Sequence, residues 1–450
     1  MQDKINDQKY IQMTQSPVER LIIRLAIPSI ISMLITTVYN AADTFFIGQI
    51  STSASAAVGV CFSMMAVIQA LGFFFGQGAG SSISRALGKQ HSERADELAS
   101  VGFFSCIIFG GILGIASLVF IEPLVYALGA TTTIYPHAIA YLSIIVMGAP
   151  FMAASFVLNN LLRFQGYSFY GMIGVTFGGI LNIILDPIFI FLFNMGTAGA
   201  ALATVISQSL SLCLLLYLNN RYCTVKIKAR AFCLRLVHCG DIIRGGLPSL
   251  LRQGIASIAV ICLNLAAKPY GDAAIAAMSI VSKITMFTNS AMLGFGQGFQ
   301  PVCGFNYGAK LYDRVKKGFF FCLKVSALCL TCLAVVEFCF AQQLVALFRD
   351  DIQVIAIGGR ALQFQCMTLP CFSIIVMSNM MMQTSGKVIS ASLTGSARQG
   401  FFLIPAVFVL PTFWGLTGIQ ISQPIADLAT VLLSIPITVN FLRKMERNQN

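Results

Sequence analysis

Asp186 is the one carboxylate in the run 180–193, which reads Ile-Leu-Asn-Ile-Ile-Leu-Asp-Pro-Ile-Phe-Ile-Phe-Leu-Phe. An ionisable side chain within an apolar helix of membrane length is costly, so its presence points to function. Asn182 lies four residues earlier and therefore on the same helix face. Pro187 follows, removes a backbone donor and frees the carbonyl of Ile183. An amide, a carboxylate and a loosened carbonyl within about one turn suit a proton or a small cation. The plainer alternative is a buried polar residue tied to a neighbouring helix. Tyr39, Asp43 and Thr204 also place oxygen atoms in apolar segments, and Lys283, Arg398 and Asp427 place charges there.

The elements that must position these side chains are membrane spans. Of 450 residues, 57% are hydrophobic and only 10% charged, against about a quarter charged in soluble proteins. The net charge of +12 could suggest nucleic acid, but the basic residues fall between apolar runs, which is membrane topology. Met1 to Ser16 is polar and lacks the apolar core of a cleavable signal. The 14 Cys are scattered and read as small hydrophobes, and the three His are isolated, which argues against a His metal site. No G-x-x-x-x-G-K-[ST] occurs, which argues against an ATP-driven pump within this chain.

Apolar runs of about 20 residues read as helical spans. Twelve are expected, near 21–47, 53–80, 97–121, 133–158, 167–193, 197–219, 245–267, 272–300, 317–341, 353–382, 388–411 and 415–441. Basic residues cluster before span 1, on every even-numbered loop and after span 12, whereas the odd loops hold only Lys268 and Arg349. Both termini are therefore expected on the cytoplasmic side. Arg163 is assigned to the fourth loop, Glu337 to the outer interface, and Phe73, Phe74 and Phe75 to a lipid-facing run.

The chain repeats itself. Gly76-Gln77-Gly78 recurs as Gly296-Gln297-Gly298, and at the same shift of 220 Arg24, Pro28, Gly88, Arg94 and Pro150 match Arg244, Pro248, Gly308, Arg314 and Pro370. Gly196 and Gly199 match Gly415 and Gly418 one residue short of that shift. The expected fold is an all-α polytopic membrane protein, with two parallel six-helix repeats forming a V-shaped, two-lobed bundle. Residues 1–219 would form the N-terminal lobe, 220–244 a flexible cytoplasmic linker, and 245–450 the C-terminal lobe.

Counting about 1.5 Å per residue along each span brings Tyr39, Asp43, Asp186 and Thr204 into the outer leaflet of one lobe, where they could converge. Two carboxylates in one low-dielectric pocket repel, so such a pair can take up a proton or exchange it for a hard cation such as sodium. In the second half Arg398 and Asp427 lie at comparable depth on consecutive spans, which makes an ion pair plausible. Lys283 is left without a carboxylate partner and is a candidate cavity charge.

With its two six-span halves, Asn-Ile-Ile-Leu-Asp-Pro at 182–187 and the Gly-x-x-Gly at 196–199, the chain resembles the multidrug and toxic compound extrusion (MATE) family, and within it the DinF branch and its MepA-like members. That resemblance implies a V-shaped antiporter of a prokaryotic plasma (inner) membrane, exporting organic, often cationic or amphipathic compounds by alternating access. It implies inward H+ or Na+ as the coupling ion and no cofactor. It carries a cation site, including a Na+ site, onto Asp43, Asn182, Asp186 and Thr204, with Tyr39 nearby. The carboxylates that another branch carries in spans 7, 8 and 10 are replaced here by Arg252, Lys283 and Arg360, which puts a second cation site in doubt. The chain is expected to be a monomeric transporter and no enzyme, with small molecules and membrane lipid as its partners and no nucleic acid. A flippase of lipid-linked oligosaccharide or lipid is the alternative, and a non-transporting receptor or scaffold the third class.

Overall fold

The computed structural model describes residues 2–232 and 235–447, with side chains from Asp7 onward. Among these residues every regular element is a helix. The first lobe's elements are α1 (Gln2–Gln15), α2 (Val18–Gly48), α3 (Thr52–Gly88), α4 (Ser92–Val119), α5 (Ile121–Ala127), α6 (Tyr135–Phe164), α7 (Ser168–Pro187) and α8 (Gly196–Tyr222). A π-helical turn, Ile188–Leu192, continues α7 past Pro187. The second half contains α9 (Leu236–Ala267), α10 (Asp272–Gly308), α11 (Tyr312–Cys339), α12 (Ala341–Ala346), α13 (Ile352–Thr368), α14 (Phe372–Thr384), α15 (Val388–Ser396), α16 (Ile404–Trp414) and α17 (Leu416–Arg447). Helices α13 and α14 form one bent span, and α15 and α16 another, joined by the π-helical stretch Ala397–Leu403.

Eleven of these units are long and apolar enough to cross a bilayer, among the described residues. The twelfth, α10, is the same length as α3 but richer in polar side chains. Its place explains that composition, because α10 packs on both α2 and α3 instead of facing lipid along its length.

The repeat is visible in contacts that exchange partners. A Cβ on Gly88 would stand 2.2 Å from the Phe305 carbonyl oxygen, and one on Gly308 2.3 Å from the Arg85 carbonyl oxygen. Since 85 and 305, like 88 and 308, differ by 220, this is one crossing of α3 and α10 made twice. Only a glycine lets two helix backbones approach so closely. Gly78 meets Ile242 and Gly246 of α9, and Gly298 meets Ala26 of α2 in the same exchanged manner. Gly196 and Gly415 open α8 and α17 at φ 55° and 54°, a backbone region that L side chains rarely adopt.

Several sequence expectations are corrected. Phe74 lies at the junction of the halves, with its carbonyl against Gly246, and Phe75 is buried, so that run is not a lipid face. Arg163 sits in the last turn of α6 at 3% exposure instead of in a loop. Glu337 is buried and accepts a 2.6 Å hydrogen bond from Thr288, so it is not interfacial. The first part of the expected linker is pinned to α4: Asp96 accepts from the Lys226 amide at 2.9 Å and from Lys228 Nζ at 3.0 Å, and Ser100 accepts from the Lys228 amide at 3.1 Å. The polar N-terminus is a docked helix. Lys9 donates to the Gly166 carbonyl at 2.8 Å and lies over the Tyr167 ring. Asn306 donates to the Met13 carbonyl and Arg314 to the Ser16 carbonyl, so α1 touches both halves.

Candidate functional site

Helices α2, α6, α7 and α8 enclose a polar cluster inside the first half. Gly179 makes room for it, since a Cβ there would stand 3.3 Å from the Tyr39 ring. Asp186, Asn182 and Thr204 are fully or almost fully buried, and Tyr39 and Asp43 are buried as well. Asn182 Nδ2 donates to Asp186 Oδ1 at 3.3 Å and to Thr204 Oγ1 at 3.3 Å. Thr204 spends its own proton on the Ala200 carbonyl at 3.1 Å. Both amide protons of Asn182 are thereby used, and its carbonyl oxygen faces the cluster without a donor.

The unmatched atoms have one character. Asp43 Oδ1, Asn182 Oδ1 and Asp186 Oδ2 are buried acceptors with no donor. Buried polar atoms are nearly always paired, so three orphan oxygens leave this cluster with more acceptors than donors. Asp43 lies near enough to act on the charge of Asp186. Hard cations take oxygen ligands, and this donor set is entirely oxygen. Among the described residues no group of three or more His, Cys, Asp or Glu could hold a metal, which sets the cluster apart from a thiolate or imidazole centre.

Tyr141 of α6 was not apparent from the sequence. It is fully buried and lies within electrostatic reach of Tyr39, Asp43 and Asp186, with its hydroxyl on Met65 Sδ at 3.1 Å. Gln208 of α8, hydrogen-bonded to Tyr39, is the other addition. Nothing in their spacing marks them, because a tyrosine or glutamine in a span has no distinguishing pattern. The π-turn after Pro187 packs under α8, where a Cβ on Gly199 would stand 2.7 Å from the Phe189 carbonyl. Such turns recur at functional sites because they aim side chains that a regular helix would not.

In the second half Arg398 Nε donates to Asp427 Oδ1 at 2.6 Å. Gln423 donates to the same oxygen at 2.8 Å and Thr368 to Oδ2 at 3.4 Å, and the guanidinium stacks over Phe372. Lys283 is exposed and has no partner among the described residues. It lies seven residues from Ser290, hence on one face of α10 with it, and Ser290 accepts from Thr37 of α2 at 3.0 Å. The face of α10 that meets α2 at Ser290 is thus uncovered by protein two turns on, at Lys283.

The sequence profile of the MatE family matches residues 28–188 and again 248–409, more than half of the chain. The chain belongs to the MatE family. The two matched blocks begin 220 residues apart, the offset of the glycine contacts between α3 and α10. The first MatE block contains Tyr39, Asp43, Tyr141, Asn182 and Asp186, while Thr204 and Asp427 fall outside both blocks. Multidrug export protein MepA of Staphylococcus haemolyticus (strain JCSC1435) is 26% identical over 98% of this chain and 98% of its own length. The protein of that name from Staphylococcus aureus (strain NCTC 8325 / PS 47) is 27% identical over 96% of each chain. An outward-facing multidrug resistance MATE family transporter superposes with a TM-score of 0.92 at 26% identity, covering 97% of this chain and 98% of the other.

Proposed function

We propose that this MatE transporter exports organic compounds by alternating access, driven by inward H+ or Na+ bound among Asp43, Asn182, Asp186 and Thr204, with Tyr39 beside them. The observation that carries this reading is the trio of buried acceptor oxygens without donors. A carboxylate pair in a dry pocket holds one ion or proton well and two negative charges badly, which is what reversible coupling requires. The names of the two staphylococcal relatives support multidrug cargo over a lipid flippase, and the cargo we propose is organic and cationic or amphipathic. The basic loops support an orientation with both termini in the cytoplasm.

Two lobes, 1–219 and 245–450, move against each other about the α3–α10 crossing, with 220–244 joining them. Arg398 is neutralised by Asp427 within its own lobe and is withdrawn from cargo. The test is dye efflux from proteoliposomes under separately imposed sodium and proton gradients. Wild type should respond to at least one gradient, and Asp186→Asn should lose that response while inserting and folding normally. An Asp186→Asn protein with wild-type rate and ion dependence would make the carboxylate structural.

A further inference from the structure

Where α3, α6, α9 and α10 meet, a second group of buried polar side chains lies outside the N-lobe cluster. Gln300 donates to Gln77 Oε1 at 3.2 Å across the two halves, and Gln77 donates to Asn160 Oδ1 at 3.2 Å. Arg163 donates to that same Asn160 oxygen through one terminal nitrogen at 2.5 Å. Its Nε is buried with no acceptor. Gln253 Nε2 on α9 is likewise buried with no acceptor. Arg252, half-buried beside it, has no hydrogen bond or ion pair among the described residues.

These donors converge. Arg252 and Gln253 stand seven residues beyond Gly245 and Gly246, whose backbones press on α3 at Gly78, Ser81 and Phe74, so both share the α9 face turned to the first half. Gly78 is level with Gly246, and Gly80 with Phe164. Arg252 therefore starts about 9 Å further from the basic loops than Gly246. Side chains lean toward their helix N-terminus. Helix α9 begins at the basic-loop end and α6 at the opposite end, so Arg252 leans toward Arg163 and Arg163 toward Arg252. The Arg252 charge is near enough to act on Arg163, and no carboxylate acts on either.

Like charges withdrawn from water without a counter-charge are costly, and apart from one unmatched acceptor, Gln300 Oε1, the groups lacking partners here are donors: Arg163 Nε, Gln253 Nε2 and the Arg252 guanidinium. We infer that Arg163, Arg252 and Gln253 form an anion-binding site at the floor of the junction between the halves, taking a carboxylate- or phosphate-type oxyanion. Guanidinium groups match such oxyanions through paired hydrogen bonds. The anion would bind both halves at once, one arginine coming from each. Its source is either a free inorganic anion or the anionic end of an amphipathic molecule held between the halves.

The test uses the full-length protein in neutral detergent, with inorganic phosphate and a fluorescent naphthalenesulfonate as probes. Phosphate should raise the thermal midpoint saturably, and Arg252→Gln should weaken that effect about tenfold or more, the loss expected for charge-assisted hydrogen bonds. Gln253→Glu supplies an internal carboxylate and should abolish phosphate binding while the midpoint stays at or above that of wild type. Asp186→Asn should bind phosphate as wild type does, which separates this site from the coupling site. Naphthalenesulfonate that phosphate displaces identifies the anion as part of an amphipathic cargo, and phosphate binding alone identifies a free anion. No saturable binding of either probe, or a folded Arg252→Gln that binds as wild type, overturns the inference. Naphthalenesulfonate binding indifferent to phosphate and to both substitutions overturns it too, since binding is then apolar.

Discussion

Asp43 and Asp186 come from α2 and α7, and each keeps one buried oxygen without a donor. If they share one ion, they act as a unit, and the loss of either should cost what the loss of both costs. Asp43→Asn and Asp186→Asn should each lower ion-driven efflux at least tenfold, and the double variant should fall no further. Additive losses, measured as initial efflux rates in the same proteoliposomes, would mean two independent sites. Asp186 and Asn182 were legible in the sequence because a polar pair alone in an apolar run is costly to bury and stands out against its neighbours. Tyr141 was not, because its part is set by α6 packing across α3 and α8, which no local pattern records. Glu337 was misplaced for a related reason. Counting residues along α11 put it at the surface, whereas the long α10 covers it with Thr288.

Helix α1 is the element that the sequence concealed most fully, since its composition is mostly polar and its few apolar residues form no stripe to announce a docking face. It holds on through Lys9, Met13 and Ser16. Burial pushes the Lys9 ammonium down to about 8, opposed by nearby Cys223 and helped by nearby Arg24. A lysine whose docked value lies below its free value of 10.5 binds fewer protons when docked. Docking therefore gains with rising pH between about 8 and the free value, and is weakest below that window. Hydrogen exchange of residues 7–15 should slow as pH rises through that range, after correction for intrinsic exchange, and Lys9→Met should remove this dependence. Unchanged behaviour in Lys9→Met would place the proton elsewhere. The repeat behaved oppositely. Its glycines were readable as an offset of 220, because close helix crossings tolerate so few residue types.

For the whole molecule, two features bear on the proposed movement of the halves. The connection between them is fixed to α4 by hydrogen bonds as far as Lys228 and again by Phe232, whose ring packs edge-on against Phe104, so a cut at Arg230 leaves the hydrogen-bonded part of the strap on the N-terminal half and frees only the Phe232 contact. Co-expressed fragments should regain efflux, and stable but inactive co-assembly would show that the connection does more than tether. The second feature is the doubled crossing at Gly88 and Gly308, which closes the end carrying the basic loops. There Arg85 also reaches across to the Thr384 carbonyl at 2.5 Å. Valine at both glycines cannot be accommodated beside carbonyl oxygens 2.2 and 2.3 Å from the new Cβ atoms, so the helices must part. Overpacking of this kind costs about 1–3 kcal/mol. Spin labels at His91 and Lys387, one on each half, should report longer distances in Gly88→Val/Gly308→Val than in wild type, with slower efflux. Gly111→Val, where a Cβ meets nothing within 4 Å, should leave both unchanged. If the double variant keeps the wild-type distance distribution, closure rests on Arg85 and its neighbours, and the glycine crossing serves only to bring the two halves together.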